Sequence, residues 1–99
     1  DLTVFQRSMF RAGHAHAGVL VILSLVIQLF ADHAKLSNGY LWFARLSFPI
    51  SAILISLGFF TAALGDNITK PTDFIFILYF GALLLVAGLI TIGIGLVRN

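Results

Sequence analysis

Three long runs of apolar residues set the limits of what this chain can fold into. The third run, residues 73–97, carries no charged side chain after Asp73. The other two, residues 12–31 and 40–64, also reach the roughly 20 residues that a helix needs to cross a bilayer, and Arg45 is the one charged residue inside them. Because backbone N–H and C=O groups cannot remain unpaired in lipid, each run is predicted to be a transmembrane helix.

The composition indicates that lipid, rather than water, surrounds these helices. Hydrophobic residues make up 60% of the chain and charged residues 10%, whereas a soluble protein carries about 25% charged residues. The short connections predict one all-α transmembrane domain, residues 1–99, with three antiparallel spans (up-down-up), and Thr72 is the expected N-cap of the third. The few basic residues flank the spans, which excludes nucleic acid as a partner. A start at Asp1 without Met is what a cleaved signal peptide or a further upstream helix would leave.

The segment before the first span has an amphipathic pattern. Leu2, Phe5 and Met9 recur at helical spacing, while Arg7 and the polar residues one turn from it form a stripe on another side. Such a segment either lies as a short helix in the membrane interface or extends the first span. The pattern favours a short interfacial amphipathic helix over residues 2–11.

Small residues recur along the first and third spans. Gly81, Gly88 and Gly95 follow one another at intervals of seven, and Gly13 and Ala17 are four residues apart. In lipid, helices associate by close packing at such positions. We expect these residues to pack helices together. We also expect the repeated small-residue seams to favour a homo-oligomer or docking to other membrane subunits.

Ionisable residues gather where the first span ends and the second begins. Asp32, His33 and Lys35 occupy the connection, and Arg45, about one turn inside the second span, is expected to snorkel or to pair with Asp32. The main interpretation is a structural cluster at the membrane boundary, and the alternative is a proton relay through Asp32 and His33. Pro49 removes the hydrogen bond to the Arg45 carbonyl, which a serine, a water or a ligand would then have to satisfy.

Two histidines at the start of the first span are the best functional clue in the sequence. His14 and His16 are ionisable groups at the entrance to a membrane helix, a placement that tends to mark function. On a regular helix their side chains point about 200° apart, so one metal ion cannot bind both. Their Gly and Ala neighbours leave room for a flat, bulky group, such as a haem with an imidazole axial ligand. Copper or zinc would need about two or three further ligands.

Nearby charged residues are candidates for supporting the two imidazoles. Arg11 precedes His14 by about one turn, and Asp66 and Asp73 flank the second connection, which the topology places at the same end as the histidines. Either carboxylate could orient an imidazole as a hydrogen-bond acceptor. The alternative for both histidines is a position at headgroup depth, hydrogen-bonded to water, phosphate or a loop.

One segment carries a family resemblance. Residues 11–18, Arg-Ala-Gly-His-Ala-His-Ala-Gly, resemble the His-x-His openings of helices in membrane proteins related to haem-copper oxidases, and they are similar to the start of small bacterial integral membrane proteins. The resemblance implies haem or copper ligation by His14 or His16 in a respiratory or redox assembly of a bacterial plasma membrane. The chain has far fewer spans than an oxidase and lacks the further helix-borne histidines of an oxidase active site. It is therefore not expected to be an enzyme on its own.

Three functional hypotheses follow from these patterns. The leading one is a small membrane subunit that oligomerises or docks through its glycine seams and carries haem or a metal ion at His14 and His16. The second is a structural or assembly subunit without a cofactor, in which the histidines only anchor the interface. The third is an oligomeric channel or small transporter, whose path would be lined by polar residues of the first two spans: Ser24, Gln28, Ser47 and Ser51.

Overall fold

The structure, a computed structural model that describes residues 2–98, consists of three helices joined by short connections. The helices are α1 (Val4–Ala31), α2 (Asn38–Thr61) and α3 (Ile75–Val97). Each is long and apolar enough to cross a membrane. The molecule extends 54 Å along its long axis and 21 and 16 Å across it, so the helices run side by side. The predicted all-α membrane fold with three antiparallel spans is confirmed.

α2 is the central helix of the bundle. It packs along both α1 and α3, whereas α1 and α3 scarcely touch each other. The buried side chains accordingly concentrate on α2, where Ala44 and Phe48 are almost completely inaccessible, and Ile27 of α1 and Ile92 of α3 pack against the same cluster. Three helices in a row leave the outward faces of α1 and α3 uncovered by the chain itself.

The glycines of α3 let its backbone lie directly against α2. A Cβ atom at Gly81 would come within 2.9 Å of the Ile55 backbone nitrogen, and one at Gly88 would come within 2.9 Å of the Ser47 Cβ. A Cβ atom at Gly95 would come within 2.6 Å of the Leu36 side chain, which belongs to the first connection, residues 32–37. Close backbone approach of this kind is what joins helices in lipid. The three glycines are therefore buried against other parts of the same chain and are not exposed on the surface where a partner could contact them.

The N-terminal segment continues α1 and does not form the separate interfacial helix over residues 2–11 that the sequence pattern favours. Thr3 and Gln6 form a capping box, in which each side chain accepts a hydrogen bond from the backbone N–H of the other residue. The Gln6 amide, only 2% exposed, also donates to the carbonyl oxygens of Ala63 at 3.0 Å and Gly65 at 2.7 Å. These bonds hold the first turns of α1 against the end of α2 and keep them in line with the span.

The second connection, residues 62–74, covers the C-terminal end of α2. The Thr72 hydroxyl donates to the Thr61 carbonyl oxygen at 3.0 Å, and the Thr72 N–H donates to that of Ala62 at 2.9 Å. The prediction that Thr72 is the N-cap of the third span is therefore wrong, because its hydroxyl is engaged with α2 and α3 begins only at Ile75. The last carbonyl groups of α2 find donors inside the chain, as a helix end requires.

Replacement of Gly88 by alanine is expected to destabilise the bundle. The added methyl group would overlap Ser47 and push α3 away from α2, and overpacking of this kind costs about 1–3 kcal/mol. Gly93→Ala is the matched control on the same helix, because nothing lies within 4 Å of a Cβ at that position. The free energy of unfolding in detergent micelles should fall for Gly88→Ala and hold or rise for Gly93→Ala. Equal losses in the two variants would contradict this packing.

Candidate functional site

His14 and His16 lie on exposed parts of α1, and each is anchored to the preceding turn of its own helix. The Nδ1 atom of His14 is 2.9 Å from the Phe10 carbonyl oxygen, and that of His16 is 2.8 Å from the Ala12 carbonyl oxygen. A carbonyl oxygen only accepts, so each Nδ1 carries a proton and donates it. In the neutral imidazole Nε2 then keeps its lone pair, which is a form that binds metals.

The two rings pack against neighbouring phenylalanines of α2. His14 meets Phe60 edge-on, with ring centroids 5.2 Å apart and planes at 85°, and the His16 ring lies 4.7 Å from that of Phe59. Around the axis of α1, the histidines fall about 100° to one side of buried Gly13 and about 60° to the other. The imidazoles therefore stand on either side of the contact between α1 and α2. The sequence pattern does not identify these phenylalanines as partners of the histidines. Their position at the end of the second span, which the topology places near the start of the first, is the one feature that could have indicated the contact.

Within residues 2–98, the carboxylates near the histidine end do not pair with the two imidazoles. Asp66 and Asp73 are exposed, and neither forms an ion pair with a histidine in that part of the chain. From the sequence, one of these carboxylates is expected to orient an imidazole by accepting its hydrogen bond. In the structure, backbone carbonyls of α1 accept that bond instead. Arg11 is exposed about one turn before the first histidine. In the same described range, no three His, Asp or Glu side chains gather into a closed metal site.

The small residues around the imidazoles divide between two faces of α1. Gly13 is buried, and a Cβ there would come within 2.9 Å of the Phe60 ring, while Ala17 lines a groove between α1 and α2. Ala15 and Gly18 are exposed, and nothing lies within 4 Å of a Cβ at Gly18. The inner pair brings α1 close to α2, and the outer pair leaves the side of α1 next to the imidazoles uncovered by the described chain.

A second polar cluster joins α1 and α2 at the opposite end of the bundle. The Arg45 guanidinium donates to the Asp32 carboxylate at 2.6 Å and to the side-chain oxygen of Gln28 at 3.0 Å. In return, the Gln28 amide donates to the Arg45 backbone carbonyl at 2.9 Å. That carbonyl is the one that Pro49 deprives of its helical partner. Its donor is therefore Gln28, and not the serine, water or ligand that the sequence pattern suggests.

The ion pair of this cluster joins Asp32 to Arg45 and leaves His33 outside. Asp32 is 67% exposed, whereas the Arg45 side chain is only 19% exposed. His33 is exposed as well, and within residues 2–98 no ion pair joins it to Asp32. The geometry supports the structural interpretation, in which Asp32 neutralises an arginine just inside the membrane boundary.

Comparisons with known proteins yield no relative from which a role could be transferred. No protein-family model, no curated protein and no solved structure matches the chain. A function is therefore inferred from the two imidazoles and their surroundings alone.

Gln28→Leu is expected to destabilise the protein, because it leaves the Arg45 carbonyl and part of the guanidinium unpaired. A lost partner of this kind costs about 1–3 kcal/mol in the free energy of unfolding. Pro49→Ala restores a backbone N–H that can bond to the same carbonyl. Gln28→Leu should therefore cost less in the Pro49→Ala background, and unfolding measurements on this double-mutant cycle give the difference. Equal costs in both backgrounds would show that Gln28 does not substitute for the missing N–H.

Proposed function

We propose that the protein is a small subunit of a respiratory or redox assembly in a bacterial plasma membrane, and that His14 and His16 ligate haem together with another chain. The observation that carries the proposal is the anchoring of both imidazoles through Nδ1 to backbone carbonyls of α1. This hydrogen bond fixes each ring and leaves Nε2 as the ligating atom, which is how metal-binding histidines are commonly held. Both rings are exposed, so a cofactor can approach them.

Haem suits this pair of imidazoles better than copper or zinc. A haem iron accepts one or two axial ligands, so one chain needs to provide only a single imidazole. Zinc and copper sites draw about three or four ligands from the protein, and within residues 2–98 the side chains for such a site do not gather. Because the rings lie on opposite sides of Gly13, each would bind its ligand separately.

The depth of the histidines in the membrane fits a flat and mostly apolar cofactor. Arg11 and Asp32 bound the apolar stretch of α1, about 32 Å apart at the rise of an α-helix. His14 and His16 lie about one turn inside the Arg11 end, where the apolar stretch begins. Arg11 is exposed there, and its guanidinium is a suitable partner for a haem carboxylate.

A second chain is needed to complete such a site. The imidazoles stand beside exposed Ala15 and Gly18, so a haem bound there would have its other face uncovered by this chain. A second copy or another membrane subunit would supply the second ligand and cover that face. The outward side of α1 is suited to this contact, because its residues are largely apolar and are not covered by α2 or α3.

One observation favours a second candidate, a structural or assembly subunit without a cofactor. Both imidazoles already pack against Phe59 and Phe60, and these contacts help to hold α1 against α2. In this candidate the histidines anchor the end of the bundle, and each Nε2 bonds to water or to a lipid headgroup.

The polar side chains of the first two spans give little support to a channel or transporter. Gln28 bonds to Arg45, and the Ser47 hydroxyl donates to the Ala44 carbonyl oxygen at 2.9 Å. Ser51 is fully buried between the helices. Two of the four groups that would line a path therefore bond inside the chain, and Ser51 is buried away from any path.

An absorption spectrum with metal analysis, on protein purified in mild detergent from its native membrane, tests the haem proposal. We expect a Soret band from the parent protein and its loss in His14→Ala, in His16→Ala or in both. His33→Ala is the matched control, because it removes an exposed histidine from the opposite end of α1 and should leave the band unchanged. Size-exclusion and unfolding profiles of the same variants report on assembly and fold.

The outcomes separate the two candidates. Loss of the Soret band with fold and assembly intact supports ligation by the substituted histidine. A parent protein free of haem, whose histidine variants fail to assemble, supports the structural subunit and refutes the haem proposal. Equal loss of haem in His33→Ala would also count against a site at the start of α1.

A further inference from the structure

The end of the bundle opposite His14 and His16 brings two cations to the end of α3. The Lys35 N–H donates to the Gly95 carbonyl oxygen at 2.8 Å, which fixes the first connection on the last turn of α3. Arg98 follows directly after that turn. The side chains of Lys35 and Arg98 are both exposed. Backbone contacts therefore hold two cations at one boundary of the membrane.

These two cations have no carboxylate partner in the described chain. Asp32 is the acidic residue at this end of residues 2–98, and it is bound to Arg45 at 2.6 Å. Within that range, neither Lys35 nor Arg98 takes part in an ion pair. Within residues 2–98 the opposite end differs, because its three cations share the boundary with two aspartates, Asp66 and Asp73, whereas Asp32 is the one carboxylate here. The positive charge of Lys35 and Arg98 is thus available to an anion from outside the chain.

A groove between the start of α2 and the end of α3 lies at the same end of the bundle as these cations. Its volume is about 420 Å³, and its walls are mostly apolar. Thr91 belongs to its α3 side, and Arg98 lies about two turns further along the same side of that helix. Ser37, in the same connection as Lys35, belongs to the groove as well. The lining residues are Ser37, Gly39, Tyr40, Phe43 and Thr91.

We propose that this groove and the two cations bind an anionic phospholipid. An acyl chain lies in the groove between α2 and α3, and Lys35 and Arg98 hold the phosphate-bearing headgroup. The groove belongs to the membrane-facing surface, which selects a ligand dissolved in the bilayer. The uncompensated charge selects an anionic one, as basic pockets between membrane helices do. The Tyr40 hydroxyl, at the boundary, adds a hydrogen-bond donor for the headgroup.

Native mass spectrometry of the protein released from nanodiscs tests the charged part of the site. From an equal mixture of phosphatidylglycerol and phosphatidylcholine, the parent protein should retain phosphatidylglycerol preferentially. Lys35→Gln combined with Arg98→Gln should weaken that retention roughly 25-fold, since each interfacial cation contributes about a factor of five. Arg7→Gln combined with Lys70→Gln is the matched control, because it removes the same charge from the opposite end and should leave the preference unchanged.

A further variant tests the groove separately from the charge. Gly39→Leu places a side chain in the groove without a clash at its Cβ, since nothing lies within 4 Å of a Cβ at Gly39. It should reduce lipid retention while Lys35 and Arg98 remain in place. The proposal is overturned if phosphatidylglycerol is held no better than phosphatidylcholine, if the control pair weakens retention as much as the Lys35 and Arg98 pair, or if Gly39→Leu has no effect.

Discussion

The requirement that every backbone polar group find a partner in lipid shapes this protein more than any other constraint. α2 shows it most clearly, because Pro49 interrupts its hydrogen bonds and its C-terminal end lies at the membrane boundary. The Gln28 amide bonds to the carbonyl that Pro49 frees, and Gln6 and Thr72 donate to carbonyl groups at and just beyond the end of the helix. Each of these donors comes from outside α2. The carbonyl groups at Arg45 and at the C-terminal end of α2 therefore have these partners only when α1 and the second connection are packed against it.

α1 and α3 are joined to α2 by different interactions. α1 is tied near both ends by buried or half-buried amides, Gln6 at one and Gln28 at the other, and such bonds are strengthened by the low dielectric of the surroundings. α3 relies on Gly81 and Gly88 to bring its backbone against α2, because apolar side chains gain little by leaving lipid for one another. Since both outer helices pack against α2 and scarcely touch each other, their outward apolar faces are left to the lipid.

The sequence predicts the helices because bilayer thickness dictates their length and composition. It does not identify the partner of the Arg45 carbonyl, since Gln28 lies on another helix and the choice among Gln28, a serine and water depends on how two helices are rotated against each other. The Thr3–Gln6 capping box is visible in the sequence as Thr-x-x-Gln. The same capping box would also begin a separate interfacial helix. Only the hydrogen bond between Gln6 and Ala63 shows that this segment continues α1, and the sequence pattern does not reveal that bond.

The need for every polar group to find a partner in lipid also applies to the side chains of His14 and His16. Their divergence follows from helix geometry and is predictable, whereas the anchoring of Nδ1 depends on rotamers that the sequence does not specify. Nδ1 of each ring is satisfied by the chain, and within residues 2–98 no protein group bonds to Nε2 of His14 or His16. Leaving such an atom unpaired in a dry environment costs about 1–3 kcal/mol. Water at the membrane boundary can satisfy it while the surface is open, but a chain that covered this end of α1 would have to provide a group, or a metal, that binds Nε2.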